Sequence, residues 1–435
     1  LIAPEEFGKA SMFTVLHTLA GLVLYMGLDQ AFVREFNVSC DRRKALFLSI
    51  LPPLLLSVFF TGGLLIFHSE VSFALYGVES FAAVIATAAP IPFMILERFN
   101  FLIVRMEERG ALYSTMQITR RILDLVLLLT IVFFRRDFLG VISARALTII
   151  FVALFSSAMV RQYWKPVSFF DRELFSKLLR FGLPLVPASI LGWVLNAMDK
   201  VALRIWADFS EMGIYSSGFR IVSALLVFQA AFTTFWVPTA YRWYETGEPL
   251  QKFEKVSDLL SLFLCMTGSF LIIFRKVIIL ILAPSYSPAA IVVPFLVFFP
   301  ILYTLSETTV MGIAFTRRTE LGIWVSLVSA LANFWGNWLL VPILGALGAS
   351  IATAISYMAF FWMRTFLARA VWRKLSLRPH VVNLGVLVSI AVISAFQDQG
   401  YVPGMTAYSI CISLVLILLL LNASVLAGVK RALLP

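Results

Sequence analysis

Charge is scarce in this chain. Only 14% of its 435 residues are Asp, Glu, Lys or Arg, while 60% are hydrophobic. An average soluble domain carries about 25% charged residues. So thin a coat of charge cannot cover a water-exposed surface, and this excludes an ordinary soluble protein in favour of one embedded in lipid. Cysteine and histidine are nearly missing too. Cys40, Cys265 and Cys411 lie far apart, as do His17, His68 and His380. No metal or redox spacing results, so neither a metal site nor a cofactor is expected. No Gly-rich loop ends in Lys-Ser/Thr, which excludes a P-loop nucleotide motor. No secretory signal peptide is visible. Acids are the scarcer sign, 24 against 35 bases, for a net charge of +11.

What is there is apolar helix. Thirteen stretches offer the roughly 20 apolar residues a span requires: 11–33, 45–67, 81–104, 112–134, 138–160, 178–206, 214–240, 256–274, 289–314, 320–341, 345–367, 381–396 and 405–428. Connections between them are short. Placing the 34–44 loop in the cytoplasm and alternating puts 23 Lys/Arg on that side, 5 on the other and 7 of the 35 inside helices. That asymmetry is the positive-inside pattern. It puts the C-terminus, with Lys430 and Arg431, in the cytoplasm, and it accounts for the net positive charge without a nucleic-acid partner.

The chain also repeats itself. Glu6-Phe7-Gly8 and Glu211-Met212-Gly213 each open a hydrophobic helix, 205 residues apart. Phe138-Leu139-Gly140 and Ala346-Leu347-Gly348 each precede one, 208 apart. Two halves built alike and run in the same direction are a transporter signature. The expected fold is therefore an all-α polytopic membrane protein: two six-helix bundles related by the internal repeat, plus a C-terminal helix pair. The expected divisions are an N-terminal bundle over 1–160, an amphipathic cytoplasmic linker over 161–180, a C-terminal bundle over 178–367 and an accessory pair over 381–428. In the linker, Ser168-Phe169-Phe170-Asp171 resembles a capping box. Phe170, Leu174, Phe175, Leu178 and Leu179 recur at helical spacing among Arg172, Lys177 and Arg180, as in a helix lying in the membrane interface. An ordinary basic loop is the alternative. By symmetry the helix before Glu211 should have a twin before Glu6, so one spanning helix is expected upstream of Leu1. Prolines 52, 53, 90, 92, 184, 187, 238, 294 and 300 fall in or beside helices and invite kinks.

Charge inside the bilayer costs at least about 2.5–3.5 kcal/mol per residue at mid-helix and seldom persists without use. Seven basic residues remain there: Arg98, Arg120, Arg121, Arg145, Lys200, Arg204 and Arg220. The acids at similar depth are Glu97, Asp124, Asp199 and Glu307, candidates for charge pairing or ion coupling. Asp124 is four residues from Arg120 and three from Arg121, so one of the two is expected to pair with it. Asp199 could pair with Arg220 or Arg204. The positive surplus implies an anionic ligand, because guanidinium binds phosphate through a planar fork and stays charged when desolvated. Arg98, Arg145 and Arg220 read as deep candidates, with Arg120, Arg121 and Lys200 beside them. Arg121 and Arg204, nearer helix ends, could instead snorkel to the interface. Ser306 to Thr309 form a polar run that could line a path or bond between helices. No nucleophile–base pair or acid dyad emerges, so an enzyme is not expected.

Ala3-Pro4-Glu5-Glu6-Phe7-Gly8, the run from Gly27 to Arg34, Gly182-Leu183-Pro184-Leu185-Val186-Pro187, Asp199-Lys200, Gly213-Ile214-Tyr215-Ser216 and the run from Asn337 to Ala349 together resemble the polysaccharide transporter family of O-antigen-type flippases. That family belongs to the superfamily of multidrug, oligosaccharidyl-lipid and polysaccharide exporters. The resemblance covers essentially the whole chain and implies two bundles around a central cavity in the bacterial inner membrane. It also implies the cargo, an undecaprenyl-pyrophosphate-linked oligosaccharide, with membrane lipids and polysaccharide polymerase machinery as partners. A cation-coupled drug exporter, a lipid II flippase and a membrane glycan polymerase are the other readings. The basic surplus opposes the first, and short loops oppose the last.

Overall fold

The computed structural model describes residues 2–38, 41–165, 170–280, 284–316, 318, 320–423 and 425. It is helical, with no strand among the described residues. Cys40, Ser168, Arg317, Lys430 and Arg431 lie outside them. Packing divides the chain into two compact units, Leu1–Lys200 and Val201–Pro435, and each is taken by itself.

In the first unit, Pro4 opens α1 (Pro4–Tyr25) at the position where a missing N–H costs nothing. The sequence reads one stretch over 11–33. The structure breaks it, because Met26 and Gly27 take left-handed backbone at φ 52° and 68° before α2 (Leu28–Glu35) begins. Asp41 caps α3 (Arg42–Ile66) by accepting the Arg43 and Lys44 N–H groups. After α4 (His68–Tyr76) and α5 (Phe81–Ala88), Pro90 starts α6 (Pro90–Met106). Then come α7 (Gly110–Phe134) and α8 (Phe138–Met159), the latter capped by Asp137. Asn100, fully buried on α6, donates to Ser156 and Ser157 of α8 at 2.9 Å each. Such polar links hold helices together where lipid removes the hydrophobic incentive. Phe32, Phe36, Ile95, Phe99, Ile103 and Val152 form the dry core.

Toward the end of the expected linker the chain forms α9 (Arg172–Gly182), and α10 (Leu185–Trp206) follows it. The cap is Asp171, whose side chain accepts the Leu174 N–H at 2.9 Å; the expected capping box had placed Asp171 at its third helical position. That hydrogen bond, helped by Lys44, holds the Asp171 carboxyl below its ordinary range.

The second unit contains α11 (Phe209–Ser223), α12 (Leu225–Glu245) and α13 (Leu250–Leu280). A broken span follows: a 3-10 turn over Pro284–Ile291, then α14 (Val293–Leu296) and α15 (Phe298–Thr309), bent by 53°. Pro288 and Pro294 flank the break, and each lacks the N–H that would continue a helix across it. Beyond α16 (Met311–Phe315), α17 (Leu321–Val371) is two helices meeting at Gly345, whose φ of 54° and ψ of −129° are not helical. The chain ends in α18 (Arg378–Asp398) and α19 (Gly404–Leu421). Arg275, just past the expected 256–274 stretch, is buried within α13, where its guanidinium donates to Asp398 at 2.8 and 3.0 Å. It fastens α13 to α18, as do the Asn383–Ser261 and His380–Ser257 hydrogen bonds.

Ten helices are long and apolar enough to cross a membrane, eleven with the bent pair. Two adjustments recover the thirteen stretches of the sequence. Leu321–Val371 divides at Gly345, and α7 is excluded from that number only by Arg120, Arg121 and Asp124 near its middle. The protein is a multi-pass membrane protein.

The two sequence echoes meet inside each unit. Glu6 on α1 accepts the Phe138 N–H of α8 at 2.7 Å. Glu211 on α11 accepts the Ala346 N–H of α17 at 2.7 Å. A carboxylate on one helix thus caps the N-terminus of another, twice, in equivalent places. Gly140 and Gly348, two residues further on, answer each other as well. A Cβ at either would collide with a carbonyl oxygen, Arg135 in one case and Leu340 in the other.

Candidate functional site

Within the first unit, α1, α2, α6, α7, α8 and α10 enclose a cavity of about 1150 Å3. Its walls gather five of the six cations expected to bind substrate: Arg98, Arg120, Arg121, Arg145 and Lys200. Asp29, Glu97 and Asp124 face them. Arg220 does not line it; that side chain is exposed on α11 of the second unit. Of the other acids, Asp199 is buried on α10, and Glu307 pairs with Arg364 at 2.9 Å in the second unit.

The charge pairing differs from the sequence expectation. Arg120 reaches Glu97 on α6, not Asp124 on its own helix, with 2.7 Å between charged atoms. Arg98 turns to Asp29, donating to one carboxylate oxygen from Nε at 3.1 Å and Nη2 at 2.7 Å. Gln30 donates to the same oxygen at 3.0 Å. Asp124 has no ion pair among the described residues, and neither does Arg121. A pair within one helix is the cheapest guess from spacing, but Asp29 and Glu97 are each about 95% buried. A desolvated carboxylate must take the nearest cation, whichever helix supplies it. Arg121 sits near the middle of α7, away from the helix ends, and lines the cavity with its side chain exposed. Arg145 donates from Nη1 to Thr14 on α1 at 2.8 Å.

Sequence reasoning missed four wall residues. Asp29 stood inside the Gly27–Arg34 run without a role; the left-handed break at Met26-Gly27 is what turns it inward. His17 gives its Nε2 proton to the Thr87 carbonyl at 2.8 Å and stacks on Phe13. Trp193 donates to Thr18 at 3.0 Å, which sets an indole face on the wall. Thr14 holds Arg145. No periodicity marks these residues, because each acquires its place only from a partner far along the chain.

The chemistry of the cavity is that of an anion receptor. Five cations against three carboxylates leave two positive charges in a space walled by membrane helices. Guanidinium forks suit phosphate oxygens, and hydroxyls, amides and rings (Thr18, Gln117, Tyr113, Trp193) can receive a polar, ring-shaped group beside them. Among the described residues no group of three His, Cys, Asp or Glu could hold a metal ion.

A family of polysaccharide biosynthesis proteins matches residues 1–243, more than half of the chain. The chain belongs to this family. A relative outside the match is the "Probable low-salt glycan biosynthesis flippase Agl15" of Haloferax volcanii, 22% identical over 176 residues. That alignment covers 40% of this chain and 37% of the relative, so the chain spans little more than a third of that relative's length. Among solved structures, a lipid II flippase MurJ in its inward closed conformation superposes with a TM-score of 0.70 at 12% identity, covering 100% of this chain and 94% of that one. An inward-facing multidrug resistance MATE family transporter of the MOP superfamily gives 0.57 at 16% identity, covering 85% and 90%. The likenesses to solved structures show the fold of the family member described here, one shared with that MurJ and that MATE transporter.

Proposed function

We propose that this family member is a flippase carrying an undecaprenyl-pyrophosphate-linked oligosaccharide, the unit of an O-antigen or other surface polysaccharide, across the bacterial inner membrane by alternating access. The supporting observation is the cavity: five cations and three carboxylates around about 1150 Å3 inside a unit built from membrane helices. Its surplus of two positive charges suits a pyrophosphate diester. Arg121, which has no carboxylate partner among the described residues, is the first contact. Arg98 and Arg120 are held by Asp29 and Glu97 until the pyrophosphate competes for them. Their carboxylates thereby keep the empty cavity from holding unmatched cations, whose burial is costly. Sugars would rest on Trp193 and Tyr113, and the lipid tail would stay in the bilayer. The glycan role printed for Agl15 agrees with this cargo. The product would pass to a reaction that polymerises glycan at the outer face.

A cell lacking its own flippase tests the reading. Expression of this protein should restore surface polysaccharide, and Arg121→Ala should lower that restoration about tenfold, as expected for loss of a charge-assisted contact of about 1.5–3 kcal/mol. Rescue of a strain lacking its lipid II flippase, with no surface polysaccharide, would assign the peptidoglycan precursor instead. Resistance to cationic dyes alone would overturn the proposal.

A further inference from the structure

The cavity leaves α9, with its basic face, unexplained. The structure shows α9 fixed against α2 by three devices. Leu174, Phe175, Leu178 and Leu179 pack on Leu28, Ala31 and Leu48. Lys44 reaches Asp171 at 3.6 Å. At the opposite end of α9 the two backbones touch, since a Cβ on Gly27 would collide with the Gly182 carbonyl oxygen, and one on Gly182 would lie 2.8 Å from the Met26 carbonyl. The helix is thus held at both ends and along its apolar face.

What this leaves between α2 and α9 is a cleft of about 790 Å3. Arg34, Arg172, Lys177 and Arg180 line it against only Glu35 and Glu173, with Ser176 and Phe181 between them. Glu35 is buried and is met by Lys177 at 2.8 Å. The Arg34 guanidinium lies over the Phe181 ring, 4.6 Å from its centroid, which orients its donors without neutralising them. Arg172 and Arg180 make no ion pair among the described residues. Just before and just after α9 stand two exposed apolar side chains: Phe170 and Leu183 are 56% and 45% exposed. Basic donors close to exposed apolar side chains match one ligand chemistry: a phosphodiester headgroup whose acyl chains remain in the bilayer.

We propose that the α2–α9 cleft is a binding site for an anionic phospholipid of the surrounding leaflet, distinct from the transport cavity. Arg172, Arg180 and Arg34 hold the phosphodiester, Ser176 donates to it, and Phe170 and Leu183 rest among the acyl chains. The site does not depend on the identity of the cargo.

The full chain reconstituted in nanodiscs of phosphatidylcholine mixed with phosphatidylglycerol tests this, with native mass spectrometry reading the lipid retained. The wild type should keep phosphatidylglycerol in preference to phosphatidylcholine. Arg172→Gln and Arg180→Gln should each weaken retention by about fivefold, the effect of one basic residue at an anionic surface. Arg34→Gln, on the opposite wall, should do the same, while Arg109→Gln, far from the cleft in sequence and exposed, should not. Equal retention by the wild type and the Arg172→Gln/Arg180→Gln double variant would overturn the proposal. So would displacement of the lipid by inorganic phosphate at equal concentration, since that would mark a free-anion site.

Discussion

Arg98 and Asp29 stand 69 residues apart in sequence and 2.7 Å apart in space, and the residue scale turns on that contrast. Asp29 is buried and takes two hydrogen bonds from Arg98, so the neutral variant Asp29→Asn leaves a guanidinium without its counter-charge. Arg98 is 39% exposed at its side chain, which softens the loss to about 1–2 kcal/mol. A lower thermal unfolding midpoint in detergent should report it. Arg121→Ala should leave that midpoint unchanged, because Arg121 makes no ion pair among the described residues. The two substitutions thereby separate a cation that holds the wall from one that waits for a ligand. The cationic character of the cavity was legible from hydrophobic context alone, since charge at mid-helix is costly and stands out. The partners were not legible. Burial decides which carboxylate needs which arginine, and burial is a property of packing.

At the scale of elements, Glu6 and Glu211 are the clearest link between sequence and fold. Each caps a distant helix by accepting one backbone N–H, so Glu6→Ala or Glu211→Ala should cost about 0.5–2 kcal/mol. Hydrogen exchange should quicken at Phe138 in the first variant and at Ala346 in the second. Gly345 beside the second cap has φ 54°, and a Cβ there would lie 2.5 Å from a Glu211 carboxylate oxygen. Gly345→Ala should therefore disturb the same cap by strain and collision together. Arg275→Met should be more damaging, about 3–5 kcal/mol, because it removes one charge of a buried pair and strands Asp398 with only the half-exposed Lys276; limited proteolysis would find α18 and α19 loosened. The Asp171 cap of α9 has a definite pH sign. A carboxyl held below its ordinary value contributes fully above about pH 3.9 and loses that contribution as pH falls through its lowered folded value. Protease access to α9 should thus rise only in strong acid, and in Asp171→Ala at every pH. Helix positions were legible because apolar length sets them. The break at Met26-Gly27 and the burial of Arg275 were not, since the left-handed pair falls inside one unbroken apolar stretch and a charged residue just past the end of another shows no sign of a buried partner.

For the whole molecule, composition, the Lys/Arg asymmetry and the repeat point to a multi-pass transporter fold, and the family match and structural likenesses agree with that fold. The cargo is the step that rests on the cavity. A pyrophosphate-bearing substrate should lose transport when the cavity cations are removed, provided the protein is folded. The most direct measurement is translocation of a fluorescent undecaprenyl-pyrophosphate-linked oligosaccharide in proteoliposomes, read by protection of the sugar from an externally added reagent. Wild-type protein should move it, Arg121→Ala should slow it about tenfold, and the triple variant Arg121→Ala/Arg145→Ala/Lys200→Ala should abolish it at unchanged protein incorporation. Transport by that triple variant at the wild-type rate would contradict the account.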